Sequence, residues 1–174
     1  MKNILTITFS LLFVLASCAQ APANRPAVNS EAFDNKIAKM INFTIPVMGV
    51  DDLKEMQEDV LILDDRPQSE FDVSHIEGAQ RIGFRRIEKS ILDGIDKNEP
   101  IVVYCSIGYR SEKVGEKLRK MGFKNVYNLY GSIFEWVNQG NQVVDKNNQP
   151  TEKVHTYNKR WSQWVEEGKA EKVW

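Results

Sequence analysis

The sequence predicts an α/β domain with a mainly parallel central sheet flanked by helices. Two short apolar runs, Val60-Leu61-Ile62-Leu63 and Ile101-Val102-Val103-Tyr104, lack polar alternation, as expected for strands buried on both faces. Weaker strand-like runs recur at residues 82–84 and 126–129. Apolar residues at helical spacing fill the intervals, and strands alternating with helices build parallel sheets through crossover connections.

The elements follow in chain order. Residues 1–17 open with Lys2, continue as an almost unbroken apolar run over 4–15, and lead into Leu15-Ala16-Ser17-Cys18. The run is too short to span a bilayer comfortably and reads as a targeting segment. Its end resembles a bacterial lipobox, in which the signal is cut before the cysteine and that cysteine is lipidated. The alternative is an ordinary secretory signal with a chance cysteine. The lipobox reading implies a signal peptide at 1–17, acylation (palmitate included) at Cys18, and a lipoprotein of the cell envelope. Such a protein is anchored by its N-terminal lipid in the outer membrane or facing the periplasm. Residues 18–29 are rich in Ala, Pro and Asn without an apolar period, and read as the lipidated cysteine and a flexible tether.

Residues 30–42 carry Phe33, Ile37, Met40 and Ile41 on one helical face. The domain proper spans 43–140. Residues 43–47 form an expected short strand, which Pro46 restricts to an edge, and Asp51 and Asp52 are expected to cap a short helix with Leu53 and Met56. The strand 60–63 ends in Asp64-Asp65-Arg66-Pro67. After the run at 82–84, Ile87, Ile91 and Leu92 mark a helix. The strand 101–104 runs straight into Cys105. A helix over 111–121 places Val114, Leu118 and Met121 inward and stops at Gly122. The last pair is a strand at 126–129 and a helix at 132–139, bracketed by Gly131 and Gly140.

The extension 141–174 begins polar and loop-like over 143–152. Tyr157, Trp161, Trp164 and Val165 then fall at helical spacing, which predicts an aromatic amphipathic helix packed on the domain rather than a cofactor or partner site. No internal repeat is present.

Composition narrows the function. At 42% hydrophobic and 27% charged residues the chain is globular, and with a net charge of −1 and no basic stripe it lacks the footprint of a nucleic-acid binder. It has two cysteines and two histidines. Once Cys18 carries lipid, a zinc site has too few ligands, so no metal or cofactor is expected. Cys105 is then the one free thiol of the mature chain, and its setting decides between an inert core residue and a reactive one.

That setting favours reactivity. Cys105-Ser106-Ile107-Gly108-Tyr109-Arg110-Ser111 joins a buried strand to a helix. In parallel sheets ligands bind beyond the carboxyl ends of the strands, where Asp64 and Cys105 both fall. A loop that curls there aims successive N–H groups at one point, and the helix adds its positive end. Both stabilise a thiolate. Gly108 permits the curl, Arg110 brings a fixed charge, and Ser111 can cap the helix or donate into the loop. Arg110 is expected either to hold an anion or to pair with Asp64 or Glu70.

These residues resemble the rhodanese family, whose catalytic loop begins with a persulfide-bearing cysteine. Cys105, Gly108 and Arg110 match its C-x-x-G-x-R form. Leu63-Asp64-Asp65-Arg66 with Glu70-Phe71, His75-Ile76-Glu77-Gly78-Ala79, and Gly131-Ser132-Ile133-Phe134-Glu135-Trp136 are similar to three further family motifs, with Ser132 replacing a second glycine. The resemblance covers roughly residues 40–140 and implies a sulfurtransferase. Cys105 would take a sulfane sulfur from a small donor such as thiosulfate and pass it to cyanide, a thiol or a protein acceptor. It also implies that Asp64 and Arg66 support the fold at the strand end, and that His75 fixes a loop instead of serving as a base. Asp64 and Asp65 are not expected to act as a paired acid and base, because sulfur transfer needs no such pair. Two other readings stay open: a sulfur carrier or docking module without turnover, and a cysteine phosphatase or arsenate reductase. Enzymes of the latter kind use a loop one residue longer than the Cys105–Arg110 spacing.

Overall fold

The computed structural model describes residues 21–174. The expected signal peptide and the lipidation site at Cys18 lie outside the described residues. A five-stranded sheet has the order β1-β5-β4-β2-β3, with β1 Val47–Met48, β2 Leu61–Asp64, β3 Gln80–Arg81, β4 Ile101–Tyr104 and β5 Val126–Leu129. Every pairing in it is parallel. All four residues of β4 are buried, which is why this segment tolerates no polar alternation. Val102 and Tyr104 pack on one face with α1 Glu31–Ala38, α2 Val50–Met56 and α5 Ser132–Asn138. Ile101 and Val103 pack on the other with Val114 and Leu118 of α4 Tyr109–Lys120. Helix α3 Gln68–Val73 links β2 to β3.

Several element boundaries differ from expectation. The first strand is Val47–Met48, not 43–47: Phe43 has φ 53° and Pro46 has no N–H, although its carbonyl accepts from Asn128. Gly49, rather than Asp51 or Asp52, occupies the N-cap of α2, and its N–H donates to Asp52 Oδ2 at 3.1 Å. The third strand is Gln80–Arg81, ahead of the apolar run at 82–84, because Gly83 at φ 76° turns the chain away. The helix expected around Ile87 and Ile91 reduces to a 3-10 turn, Lys89–Leu92. Helix α4 begins at Tyr109 with Gly108 as its cap, so Ser111 sits inside the first turn and does not cap it.

The extension departs most. Residues 143–152 contain a hairpin, β6 Val143–Val144 against β7 Pro150–Thr151. The aromatic amphipathic helix does not form. Instead β8 Lys153–His155 pairs in parallel with β9 Glu171–Val173, and only a 3-10 turn, Ser162–Trp164, lies between. Tyr157 at φ 65° interrupts the helical path, and Asn158 Oδ1 takes the Trp161 N–H. Docking itself is present. Trp164 stacks on Phe33 with ring centroids 5.6 Å apart, Val165 is buried, and Asn138 clamps the segment by donating to Trp164 O and accepting from Glu166 N.

Part of the expected tether is likewise docked. Arg25 pairs with Asp34 and donates to Tyr130 Oη, while Asn29 donates its N–H to Glu135 Oε1 and its amide to Asn138 O. Among the described residues no helix is long and apolar enough to cross a membrane.

Phe33 joins the N-terminal helix, the sheet and the extension at one buried point. Phe33→Ala should therefore destabilise the protein by about 3–5 kcal/mol, read as a lower denaturation midpoint. An unchanged midpoint would show that the extension and α1 contribute little to stability.

Candidate active site

Parallel register brings the site together. Asp64 pairs level with Tyr104, and one step further the Asp65 N–H donates to Tyr104 O at 3.0 Å. Asp65 and Cys105 thus leave adjacent strands at the same height, beyond the carboxyl edge of the sheet. Cys105 is 1% exposed and is the free cysteine of the described residues.

The loop after Cys105 is fixed by its neighbours. The N–H groups of Ile133 and Phe134, at the start of α5, donate to the carbonyls of Cys105 and Ser106, each at 3.3 Å. Ser132 Oγ accepts the Cys105 N–H at 3.2 Å and donates to Leu129 O. With its carbonyls drawn toward α5, the loop turns later N–H groups toward the sulfur. The Gly108 N–H donates to Cys105 Sγ at 3.2 Å. Gly108 has φ 113°, and a Cβ there would lie 3.4 Å from the Asn128 amide. Asn128, buried on β5, donates to Gly108 O and accepts from Ser111 Oγ at 2.8 Å. Ser111 Oγ also lies 3.6 Å from the sulfur.

Arg110 reaches back over this loop. It donates to both oxygens of Glu70 at 3.2 and 3.0 Å, and to Ser106 Oγ at 3.0 Å. Its partner is Glu70, not Asp64; Asp64 is engaged by the fully buried Arg66 at 2.6 Å, and Arg66 also donates to Ser74 O. Arg66 and Asp64 therefore brace the strand end. Removing either partner of such a buried pair costs about 3–5 kcal/mol. Both ring nitrogens of His75 have other partners: Nδ1 lies 3.1 Å from Phe71 O and Nε2 3.4 Å from Asn148 Oδ1, and the ring stacks on Phe71.

Burial alone would raise the Cys105 pKa. The Arg110 charge and the N–H groups of Ser111, Gly108 and Ile107 outweigh burial and hold the thiol below its ordinary value. Asp65 moves the other way. Burial first, then the neighbouring Cys105, push its carboxyl well above the usual range, against Arg110.

Above the sulfur lies a cavity of about 760 Å³. Its walls include Arg81, Arg85, Arg86, Phe84, Tyr109, Tyr157 and Trp161. Arg110 sits with its guanidinium 5.8 Å from the Tyr157 ring centre. The structure thus places Cys105, Ser106, Ile107, Tyr109 and Arg110 on the cavity and Gly108 and Ser111 against the sulfur. It adds Asn128, the hydroxyl of Ser132, and the wall formed by the arginines and the two extension aromatics. Arg81 follows from register, since it pairs level with Asp64. Asn128 carried no signal beyond being a polar residue in an apolar strand.

The rhodanese-like domain family matches residues 49–139. The chain is 32% identical over 80 residues to the thiosulfate sulfurtransferase GlpE of Coxiella burnetii, covering 46% of this chain and 74% of that one. It is 37% identical over 83 residues to the tRNA uridine(34) hydroxylase of Streptococcus uberis, covering 45% of this chain but 25% of the other. Among solved structures, a rhodanese-like domain from Anabaena superposes with a TM-score of 0.53 at 24% identity, over 59% of this chain and 80% of that one.

If Arg110 is the main charge favouring the thiolate, Arg110→Gln should raise the Cys105 pKa. Thiolate absorbance in the ultraviolet, followed against pH, should show its midpoint moving up. An unmoved midpoint would assign the stabilisation to the loop N–H groups alone.

Proposed function

This chain belongs to the rhodanese-like domain family, and from that premise we propose that it is a sulfurtransferase carrying sulfane sulfur as a persulfide on Cys105. One observation carries the reading: a thiol held toward its anion at the floor of an open cavity, with N–H donors converging on the sulfur itself. The thiolate attacks the outer sulfur of a donor such as thiosulfate. A bond forms between the two sulfurs, the donor's own sulfur–sulfur bond breaks, and sulfite departs with the electron pair. The persulfide is then held by the same donors.

Cys105 is the only cysteine among the described residues, so the sulfur leaves to an outside acceptor, either a small thiophile or a protein thiol. The cavity of about 760 Å³ exceeds what thiosulfate fills, which favours a bulkier organic or protein acceptor at the same mouth. The short spacing from Cys105 to Arg110 supports sulfur over phosphate, because a phosphoryl group needs donors to three oxygens at once. The Leu15-Ala16-Ser17-Cys18 sequence supports placing this chemistry at the cell envelope on a lipid anchor.

Incubating the protein with thiosulfate should add one sulfur atom to Cys105 by intact mass, and cyanide should remove it. Cys105→Ser should show neither event. Repeated turnover separates an enzyme from a one-shot carrier. Hydrolysis of p-nitrophenyl phosphate through Cys105 without any sulfur adduct would replace this reading by a phosphatase. For the anchor, Cys18→Ser should shift the protein out of the detergent phase on partitioning; equal partitioning of a normally cleaved variant would refute lipidation.

A further inference from the structure

We propose that Asp65 is a catalytic acid and base for thiol substrates at Cys105, giving a proton to a departing thiol and taking one from an arriving thiol. The inference rests on the sulfurtransferase reading and narrows its substrates to thiols and their persulfides.

The first observation is the pairing pattern. Three carboxylates and two arginines meet at the strand ends. Asp64 is taken by Arg66, and Glu70 is taken by Arg110 through two hydrogen bonds. Asp65 is left over. It is 1% exposed, and among the described residues neither of its oxygens has a hydrogen-bond partner. Its one charged contact is Arg110 Nε at 3.8 Å, too long for a hydrogen bond. An ionised carboxylate does not persist in such a place without partners; it keeps its proton instead.

The second observation is position. Asp65 lines the same cavity as Cys105 and Arg110. The groups acting on it are Cys105 from the loop after β4, Arg110 from α4, and Asp64 and Arg66 from its own strand end. Glu70 of α3 and the cavity arginines Arg81, Arg85 and Arg86 complete the charged surroundings. With Arg66 and Arg110 neutralised by Asp64 and Glu70, the remaining pair is Cys105 and Asp65. Burial and mutual repulsion leave that pair with one negative charge and one proton. The loop N–H groups favour the charge on sulfur, and Asp65, lacking any donor, holds the proton.

The cycle then balances. With an organic persulfide R–S–SH, the Cys105 thiolate attacks the outer sulfur and a new sulfur–sulfur bond forms. The old bond breaks toward R–S, which takes the Asp65 proton and leaves as R–SH. Cys105 is now a persulfide, and its terminal sulfur and Asp65 hold one proton between them, the same state that thiosulfate leaves when sulfite departs as a dianion. An acceptor thiol gives its proton to Asp65 as its sulfur attacks the persulfide, and Cys105 departs as thiolate. Both ends return to their starting states, with no oxidant or reductant. With an acceptor that brings no proton, such as sulfite dianion, thiosulfate leaves as a dianion and the shared proton stays on Asp65, so that transfer needs neither an acid nor a base.

The test charges the full-length protein with thiosulfate and follows single-turnover loss of the persulfide to 2-mercaptoethanol and, separately, to sulfite. Wild type that forms no persulfide would overturn the sulfurtransferase reading before Asp65 is questioned. Asp65→Asn should slow transfer to the thiol about 100-fold at neutral pH and change transfer to sulfite far less. Its rate with the thiol should climb with the fraction of free thiolate in solution, whereas wild type should not follow that fraction. Loss of both transfers together would make Asp65 a shaping residue, and loss of neither would make it idle; either result overturns the proposal. Asp65→Val repeats the test with an apolar side chain, in case the amide upsets folding. Wild type gives an independent reading: at neutral pH the infrared carbonyl band of a protonated buried acid should coexist with thiolate absorbance, and absence of that band overturns the assignment.

Discussion

Each peptide unit in the loop from Cys105 to Gly108 carries one donor and one acceptor on opposite sides, so fixing one fixes the other. The first turn of α5 takes the carbonyls of Cys105 and Ser106. The Ile107 N–H, which shares its peptide unit with the Ser106 carbonyl, is thereby turned to the sulfur, and the Gly108 N–H follows it. The cradle for a sulfur anion is thus set by a helix that contributes no side chain to the cavity. Ser132 makes the arrangement possible at φ 52°, where a glycine is more usual, and its hydroxyl holds the first N–H of the loop. That local bonding offsets the strain of a left-handed conformation in a residue with a Cβ.

Charge at the strand ends is arranged around this cradle. Arg66 is buried against Asp64 and serves the backbone, since it also fixes Ser74 O. Arg110 remains partly exposed, held over the site by Glu70 and close enough to Cys105 to favour the thiolate. Two arginines of the same residue type therefore have different work, decided by burial. The excess carboxyl, Asp65, has no cation of its own and stands beside the nucleophile.

The extension gives the site its depth. A bare parallel sheet presents its carboxyl edge to solvent; here Tyr157 and Trp161 join the arginines in lining the cavity at that edge. The segment is kept there by Trp164 on Phe33 and by the Asn138 side chain, both on the helical layer. Tyr157 is 54% exposed and packs its ring near the Arg110 guanidinium, joining the extension to the loop after Cys105. The extension thus lines the cavity beside Cys105 as well as completing the fold.

The three inner strands were legible in the sequence because burial on both faces leaves apolar runs of strand length between turn residues, as in Val60–Leu63 and Ile101–Tyr104. The curled loop was legible because a strand that runs directly into Cys105 is followed at once by Gly108 and Arg110. The extension was misread: Tyr157, Trp161 and Trp164 do have helical spacing, but spacing reports only which residues are apolar. The backbone donors there went to a parallel pairing of β8 with β9, a long-range contact that no local period encodes. The same limit applies to Arg110, Asn128 and Asp65. Sequence fixes that acids and arginines lie near the strand ends. Which carboxylate takes which arginine, and which one is left buried without a partner, is settled only by the register of β2 against β4 and by the packing of α3 over them, because pairing depends on distances between residues that lie far apart along the chain.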